Sequence, residues 1–254
     1  DNVDLRLKWG EIHALLGENG SGKTTLVNML SGIYQPDDGE IWVDGNQAVI
    51  DSPKTAYQLG IGMIHQHFML VDVLSATENI ILGQKGGVLL NRRKVSAEIR
   101  AMIDQYGFHI DPNRKISEMS VSEKQTVEII KALYRGAEIL ILDEPTAVLT
   151  PQETDRLFDV LRRMKDEGKC VVLISHKINE LFAVADKVTI LRKGKFIEEL
   201  DMKAVTPDQL TSDMVGYPAK LSLNCPQSGE VKPYLSVCNL TVRGISGAES
   251  VKNL

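Results

Sequence analysis

A glycine-rich segment near the start of the chain carries the residues best suited to bind phosphate. Gly17-Glu-Asn-Gly-Ser-Gly-Lys-Thr24 has the spacing of a phosphate-binding loop, between an apolar strand pattern and a helix pattern. Glycines let backbone N–H groups face one anion, and a helix N-terminus adds positive charge. Lys23 would contact the β- and γ-phosphates, and Thr24 would offer its hydroxyl to Mg²⁺. A glycine-rich turn without a ligand is the alternative. The expected nucleotide-binding residues are Gly17, Glu18, Asn19, Gly20, Ser21, Gly22, Lys23, Thr24 and Thr25.

An acidic pair closes the apolar run Ile139-Leu-Ile-Leu-Asp143-Glu144-Pro145. A carboxylate at the end of a buried strand is costly without a cation, so Asp143 is expected to hold a hydrated Mg²⁺. Glu144 is then placed to polarise the attacking water as a general base. An acidic strand end that merely faces solvent is the alternative, which the length of the apolar run disfavours.

Three further segments separate the families that share such a loop. Met119-Ser-Val-Ser-Glu123 precedes the acidic strand, Gln66 follows an apolar strand pattern, and Ser175-His176 follows another. With the loop and the acidic pair, this set resembles the ATPases of ABC transporters, with their signature loop, Q-loop and switch histidine. GTPases and kinases do not carry this combination. The resemblance covers about residues 1 to 215.

The resemblance implies a role for each matching residue. Ser120 would contact the γ-phosphate held by a facing cassette, in trans. Gln66 would join the Mg²⁺ shell and sense a membrane partner, and His176 would hydrogen-bond the γ-phosphate. The implied catalytic residues are Lys23, Glu144 and His176, and the implied metal ligands are Thr24, Gln66 and Asp143. No catalytic role is assigned to His65 or His67, which flank Gln66.

A narrower resemblance concerns residues 63–70, 128–135 and 146–153, which are similar to the ATP-binding proteins of nucleoside and simple-sugar importers. Those proteins carry two cassettes in one chain. The resemblance implies ATP and Mg²⁺ as cofactors, and transmembrane permease subunits and a second cassette as partners. It also implies an indirect link to a substrate-binding lipoprotein, and a peripheral location on the cytoplasmic face of the cell membrane.

The signature segment and the residues that directly follow it depart from the family pattern at two positions. Ser122 stands where the family normally has glycine, and Thr126 stands where it usually has arginine. Serine restricts the backbone and adds a side chain where glycine allows close approach to phosphate. We therefore hypothesise that this segment is a weaker activator in trans than the usual signature.

The elements needed to position these residues predict an α/β fold. A mainly parallel sheet is expected. With the resemblance, the implied architecture is the P-loop NTPase core of an ABC ATPase, with that sheet, an antiparallel β flap and a helical signature subdomain. Asp44-Gly45 predicts the flap hairpin, and residues 73 to 135 are mostly helical in pattern. Alternation of Val3, Leu5 and Leu7 predicts a strand.

The domain organisation follows from composition and from the resemblance. Residues 1–215 are expected to form the cassette, whose first β-strand and adenine-stacking loop would lie upstream of Asp1. Residues 216–234 are rich in glycine and proline and indicate a linker. Residues 235–254 are expected to be the truncated start of a second cassette, with a strand over 234–242.

Charge and composition exclude some classes of function. A net charge of −5 gives no basic excess for a nucleic-acid partner. No apolar run approaches the ~20 residues of a membrane helix, and the three cysteines lack metal-ligand spacing. Two alternatives to a transport ATPase stay open: a nucleotide-responsive switch with little hydrolysis, and a non-transport ABC ATPase of translation or DNA repair.

Overall fold

The structure is a computed structural model that describes residues 3–84, 92–217, 236–243 and 249–251. The chain divides into two units, Asp1–Ala219 and Lys220–Leu254. The first unit holds every residue for which the sequence predicts chemistry. No helix in the described part of the chain has the length and apolar character needed to cross a bilayer.

A six-stranded sheet forms the centre of the first unit. Its strands are β1 Ile12–Leu16, β4 Ile61–Ile64, β5 Ile139–Asp143, β6 Cys170–Ile174, β7 Lys187–Arg192 and β8 Lys195–Asp201. In space they run β4-β5-β6-β1-β7-β8, and only the last pair is antiparallel. The mainly parallel sheet is therefore confirmed, and its continuous apolar strands fit a sheet covered on both faces.

Eight α-helices and one short 3-10 helix, Ile116–Glu118, are present in the described residues. The α-helices are α1 Lys23–Leu30, α2 Pro53–Gln58, α3 Ala76–Ile81, α4 Arg92–Tyr106, α5 Val121–Tyr134, α6 Pro151–Asp166, α7 Ile178–Val184 and α8 Pro207–Val215. Residues from α1 and α2 join the core on one face of the sheet, and residues from the other six join the core on the opposite face. Consecutive residues of β1 divide between these faces: Leu15 joins the first core and Leu16 the second. The mostly helical pattern predicted between 73 and 135 is confirmed by α3, α4 and α5.

The predicted flap hairpin is present. β2 Ile41–Val43 pairs antiparallel with β3 Asn46–Ala48. The turn residues Asp44 and Gly45 have φ values of 50° and 75°. Positive φ at both central residues is typical of the tight hairpin turn that Asp-Gly favours.

Two strand predictions are wrong. Residues 3 to 8 form no strand, although Val3 and Leu7 pack partly against the core. Their apolar alternation is explained by that packing, because no described strand pairs with them. Of the described part of the strand predicted over 234–242, residues 236–241 form no strand and only Val242 lies in one: β9 Val242–Arg243 pairs with β10 Glu249–Val251. Most of the predicted linker lies outside the described residues.

Candidate functional site

The glycine-rich loop follows β1, and its first glycine has no room for a side chain. A Cβ on Gly17 would lie 2.3 Å from the backbone oxygen of Leu191 and 2.4 Å from Ser21 Oγ. Gly20 and Gly22 have φ values of 79° and 99°, a region that residues with a Cβ rarely adopt. Gly17 therefore lets the loop pack closely against the sheet, and Gly20 and Gly22 allow the loop to curve.

The N-terminus of α1 is left open towards the loop. Gly22 precedes the helix, supplies no side-chain cap, and is followed by no acid in the first turn. The first backbone N–H groups of a helix lack partners within the helix and carry partial positive charge. A second turn braces the loop, because Gly194 N donates to Ser21 O at 3.0 Å. The arrangement is suited to an anion.

Lys23 lies across this loop and is buried. Its Nζ donates to the backbone oxygens of Gly17 at 2.7 Å and Glu18 at 3.0 Å. Burial lowers the pKa of Lys23, and the negative charges of Glu144 and Asp143 oppose that shift. A single ammonium is thus held between the loop and the acidic pair.

Asp143 ends β5 and is paired in register with Ile174 of β6. Burial, and then repulsion from Glu144, raise the pKa of Asp143, while the charges of His65 and Lys23 lower it. The positive charges near the Asp143 carboxylate therefore do not fully offset its burial and the repulsion from Glu144. Among the described residues no cluster of three His, Cys, Asp or Glu side chains could hold a metal alone. An Asp143 carboxylate with a Thr24 hydroxyl fits the oxygen ligands of Mg²⁺, which usually completes its shell with water and substrate phosphates.

Glu144 is held in a special conformation beside a histidine. Its φ is 51°, and its N–H donates to Ile174 O at 3.0 Å. Its Oε1 lies 2.7 Å from Nδ1 of His176, which directly follows the loop residue Ser175 after β6. Within the described residues its other carboxylate oxygen, Oε2, is buried and has no hydrogen-bond partner. That oxygen is an available acceptor next to an exposed imidazole.

Gln66 lies two residues beyond β4, at the same edge of the sheet as the acidic pair, because Ile64 pairs with Leu142. Its side chain is exposed. The chain that follows is fixed to α5: Met69 N donates to Glu128 Oε1 at 2.7 Å, and Lys131 Nζ donates to Met69 O at 2.9 Å. The segment that carries Gln66 is therefore tied to a helix.

Ser120 caps the N-terminus of that same helix. Its Oγ accepts from Glu123 N at 3.3 Å, and its own N–H donates to Glu123 Oε2 at 2.7 Å. Its Oγ also lies 3.2 Å from Ser122 Oγ. These contacts are all within the signature segment, so the structure does not bring Ser120 to the glycine-rich loop. Its predicted role in trans stays a prediction.

Four of the predicted residues, three from the glycine-rich loop and His176, line one surface. A shallow cavity of about 490 Å³ is lined by Gly17, Glu18, Asn19, His176 and Met214. No role was assigned to His65 from the sequence, but its charge lowers the pKa of Asp143. Its position just after β4, the strand beside β5, was the available signal.

This architecture, with the loop after the central strand and the acidic pair on a neighbouring strand, defines a P-loop nucleoside triphosphatase fold. The model of the ABC transporter family matches residues 1–147, and the chain belongs to that family.

Curated relatives match the chain from end to end. It is 45% identical to the nucleoside import ATP-binding protein NupA of Lactococcus lactis and 46% identical to the guanosine import ATP-binding protein NupO of Bacillus subtilis, with 100% of this chain covered in both cases. It is 42% identical to the ribose import ATP-binding protein RbsA of Caldanaerobacter subterraneus over 96% of this chain. The chain spans about half the length of these relatives: 51%, 50% and 50%.

Solved structures show the same fold. A nucleotide-free ATP-binding cassette from an ABC transporter superposes with a TM-score of 0.73 at 21% identity, over 86% of this chain and 89% of that one. The ATP-binding cassette MJ0796, in a dimeric post-hydrolysis state bound to ADP and Pi, gives 0.69 at 24% identity, over 80% and 90%.

Proposed function

We propose that this chain is the ATP-binding and ATP-hydrolysing part of an ABC importer for nucleosides or simple sugars. The observation that carries the proposal is the convergence of three strand ends. The loop follows β1. Asp143 is the last residue of β5 and Glu144 comes directly after it, and His176 follows β6. Ligands of open α/β sheets bind at the carboxyl ends of the strands. The names of the relatives, which include nucleoside, guanosine and ribose import, support the cargo class.

The proposed chemistry is phosphoryl transfer to water, which depends mainly on positioning and charge neutralisation. The N–H groups at the start of α1 bind the phosphates. Lys23 exchanges its loop carbonyls for phosphate oxygens. Glu144 accepts the proton of the attacking water at Oε2, the oxygen that has no described partner. His176 holds the γ-phosphate while its Nδ1 stays near Glu144.

Thr24, Gln66 and Asp143 are proposed to hold Mg²⁺. When bound, the ion neutralises charge on the phosphoryl oxygens. The raised pKa of Asp143 supports this role, since burial and Glu144 both make its charge costly and a cation would remove the cost.

The proposed assembly contains two cassettes that close on ATP, with Ser120 reaching the nucleotide of the facing cassette. Within it, residues 216–234 act as a linker and 235–254 begin the second cassette. The relatives' names support permease partners, since import requires a membrane path, with a substrate-binding lipoprotein as an indirect partner. The protein would then sit on the cytoplasmic face of the membrane.

The test is a comparison of binding and hydrolysis. Glu144→Gln should bind a fluorescent ATP analogue as the wild type does and lose ~10²–10⁴-fold in phosphate release, the usual contribution of a general base. Glu198→Gln, an exposed carboxylate on β8, is the matched control and should hydrolyse ATP normally. Full hydrolysis by Glu144→Gln would overturn the assignment of the base.

A nucleotide-responsive switch with little hydrolysis is the second candidate. The observation that favours it is the serine at 122, whose hydroxyl lies next to that of Ser120. Phosphate release in the presence of the membrane partners separates the two. Nucleotide binding without turnover there would favour the switch.

A further inference from the structure

One carboxylate that the sequence did not mark as a site residue contacts both segments that carry the Glu144–His176 pair. It belongs to Glu180, in the first turn of α7. Thr146 Oγ1 donates to Glu180 Oε2 at 2.5 Å, and Lys177 Nζ donates to Oε1 at 2.9 Å. Ser175 Oγ lies 3.4 Å from Oε2.

The donors flank the proposed catalytic residues in sequence. Thr146 comes two residues after Glu144, and Ser175 and Lys177 stand on either side of His176. Thr146 and Ser175 are 1% and 0% exposed, so their hydroxyls need partners inside the protein. One carboxylate therefore joins the turn after β5 to the strand end after β6.

Two further hydrogen bonds strengthen this junction. Lys177 Nζ also donates to Thr146 O at 3.0 Å, and Lys177 N donates to Ser175 Oγ at 3.0 Å. Hydrogen bonds in which one partner is charged are stronger than neutral ones. The turn after Glu144 and the backbone around His176 are thus held by the same ion pair.

We infer that Glu180 is a positioning residue that fixes the separation of Glu144 and His176. The inference rests on the proposed function, because the pair matters only if it acts on ATP. Glu180 needs no contact with nucleotide. Without its carboxylate the turn carrying Thr146 and the segment carrying His176 lose the bonds that Glu180 makes with both of them. Their separation is then fixed less tightly, and displacements of about 1 Å at a reacting centre can cost ~10²-fold in rate.

A purely structural role would leave a different signature. An acid in the first turn of a helix stabilises that helix through the helix dipole alone. Asp208 also lies in the first turn of its helix, α8, and is exposed, so Asp208→Ala is a matched control for the loss of such an acid. If Glu180 were only a first-turn acid, both alanine variants would lower the melting temperature and leave kcat per folded molecule unchanged.

The experiment measures kcat, KM for ATP, nucleotide binding and melting temperature in the full chain with its membrane partners. Glu180→Ala is expected to lose about 10- to 100-fold in kcat, within the range that misplacement produces, with nucleotide binding changed less than about twofold. Thr146→Val should lose kcat in the same direction, and Thr146→Ser should restore it, because serine keeps the hydroxyl that donates to Glu180.

Coupling between the two positions completes the test. The double variant Thr146→Val/Glu180→Ala should be no slower than the slower single variant, since both remove one junction. Multiplied losses would overturn the inference, and so would a normal kcat in folded Thr146→Val. If the wild type itself released no phosphate with its partners present, the proposed function would fail, which is a separate outcome.

Discussion

Nδ1 of His176 lies 2.7 Å from one carboxylate oxygen of Glu144, while the other oxygen, Oε2, is buried without a hydrogen-bond partner among the described residues. The two oxygens of one side chain thus have different surroundings. One is oriented by an imidazole, and the other is available to accept a proton. Burying such an oxygen unpaired is costly, which is typical of a site whose partner is a substrate.

Replacing the histidine should therefore impair hydrolysis more than binding. His176→Ala removes the group that orients Glu144 and is expected to lower phosphate release by ~10²-fold or more, the scale of a lost acid–base partner. The affinity for a fluorescent ATP analogue should change little, because the loop and Lys23 are intact. His109→Ala, an exposed histidine after α4, serves as the control. Equal turnover in wild type and His176→Ala would contradict the prediction.

Asp143 gives a prediction about stability and pH. Its pKa is raised above the ordinary 3.8, mainly by burial and then by Glu144. The folded state then binds more protons than the unfolded state between 3.8 and the raised pKa. The free energy of unfolding should fall as the pH rises through that window, and the cost persists at neutral pH.

Asp143→Asn removes this cost and should raise the melting temperature at pH 7, flattening the pH dependence in the acid range. The same variant should lose the stabilisation by Mg-ATP that the wild type shows, because the proposed cation ligand is gone. Thermal unfolding with and without Mg-ATP measures both effects. Asp155→Asn, on the exposed face of α6, is the control. A wild type stabilised no more than Asp143→Asn by Mg-ATP would count against the site.

The strand–loop–helix setting of the candidate site residues was predictable from the sequence, because it depends on local spacing and on strand ends. A glycine pattern, an apolar run and the acids that end it are all contiguous. The junction at Glu180 was not predictable in this way. Thr146 and Glu180 are 34 residues apart, and only the parallel pairing of β5 with β6 brings their segments together. The strand predicted at Val3–Leu7 is wrong for a related reason. Alternation of apolar and polar residues indicates which side chains are buried, but it does not show whether another strand is there to pair with.

The contacts of Glu128 and Lys131 with Met69, called the clamp below, join α5 to the Gln66 segment and should contribute measurably to stability. Glu128 is buried, and its Oε1 accepts from Met69 N while its Oε2 accepts from Lys131. Glu128→Ala leaves the Met69 amide and the ammonium of Lys131 without this acceptor and is expected to cost ~1–3 kcal/mol in the free energy of unfolding.

Urea denaturation measures that cost. The control is Asp159→Asn, which breaks the exposed ion pair with Arg162 and should cost at most ~1 kcal/mol. If the two variants unfold at the same urea concentration, the clamp contributes no more than a surface pair. A smaller loss in Glu128→Gln than in Glu128→Ala is also expected, because glutamine keeps an oxygen that can accept from Met69.

The altered signature segment gives the last prediction. Ser122 accepts from Thr126 Oγ1 through its backbone oxygen at 3.0 Å, and its hydroxyl lies 3.2 Å from that of Ser120. Hydrogen bonds from Ser122, and then from Thr150, lower the pKa of Glu153 on α6. Ser122 therefore interacts with groups on two helices, α5 and α6. It also competes for the hydroxyl of Ser120, which would face a phosphate in trans.

Ser122→Gly with Thr126→Arg should raise the ATPase rate several-fold in the presence of a second cassette and the permeases, because it frees Ser120 and restores close backbone approach. Room exists for the change: Ser122 and Thr126 both line a cavity of about 190 Å³. The comparison is steady-state phosphate release at saturating ATP, with Thr126→Arg alone as the control for arginine. An unchanged rate in the double variant would show that the serine at 122 does not limit this site.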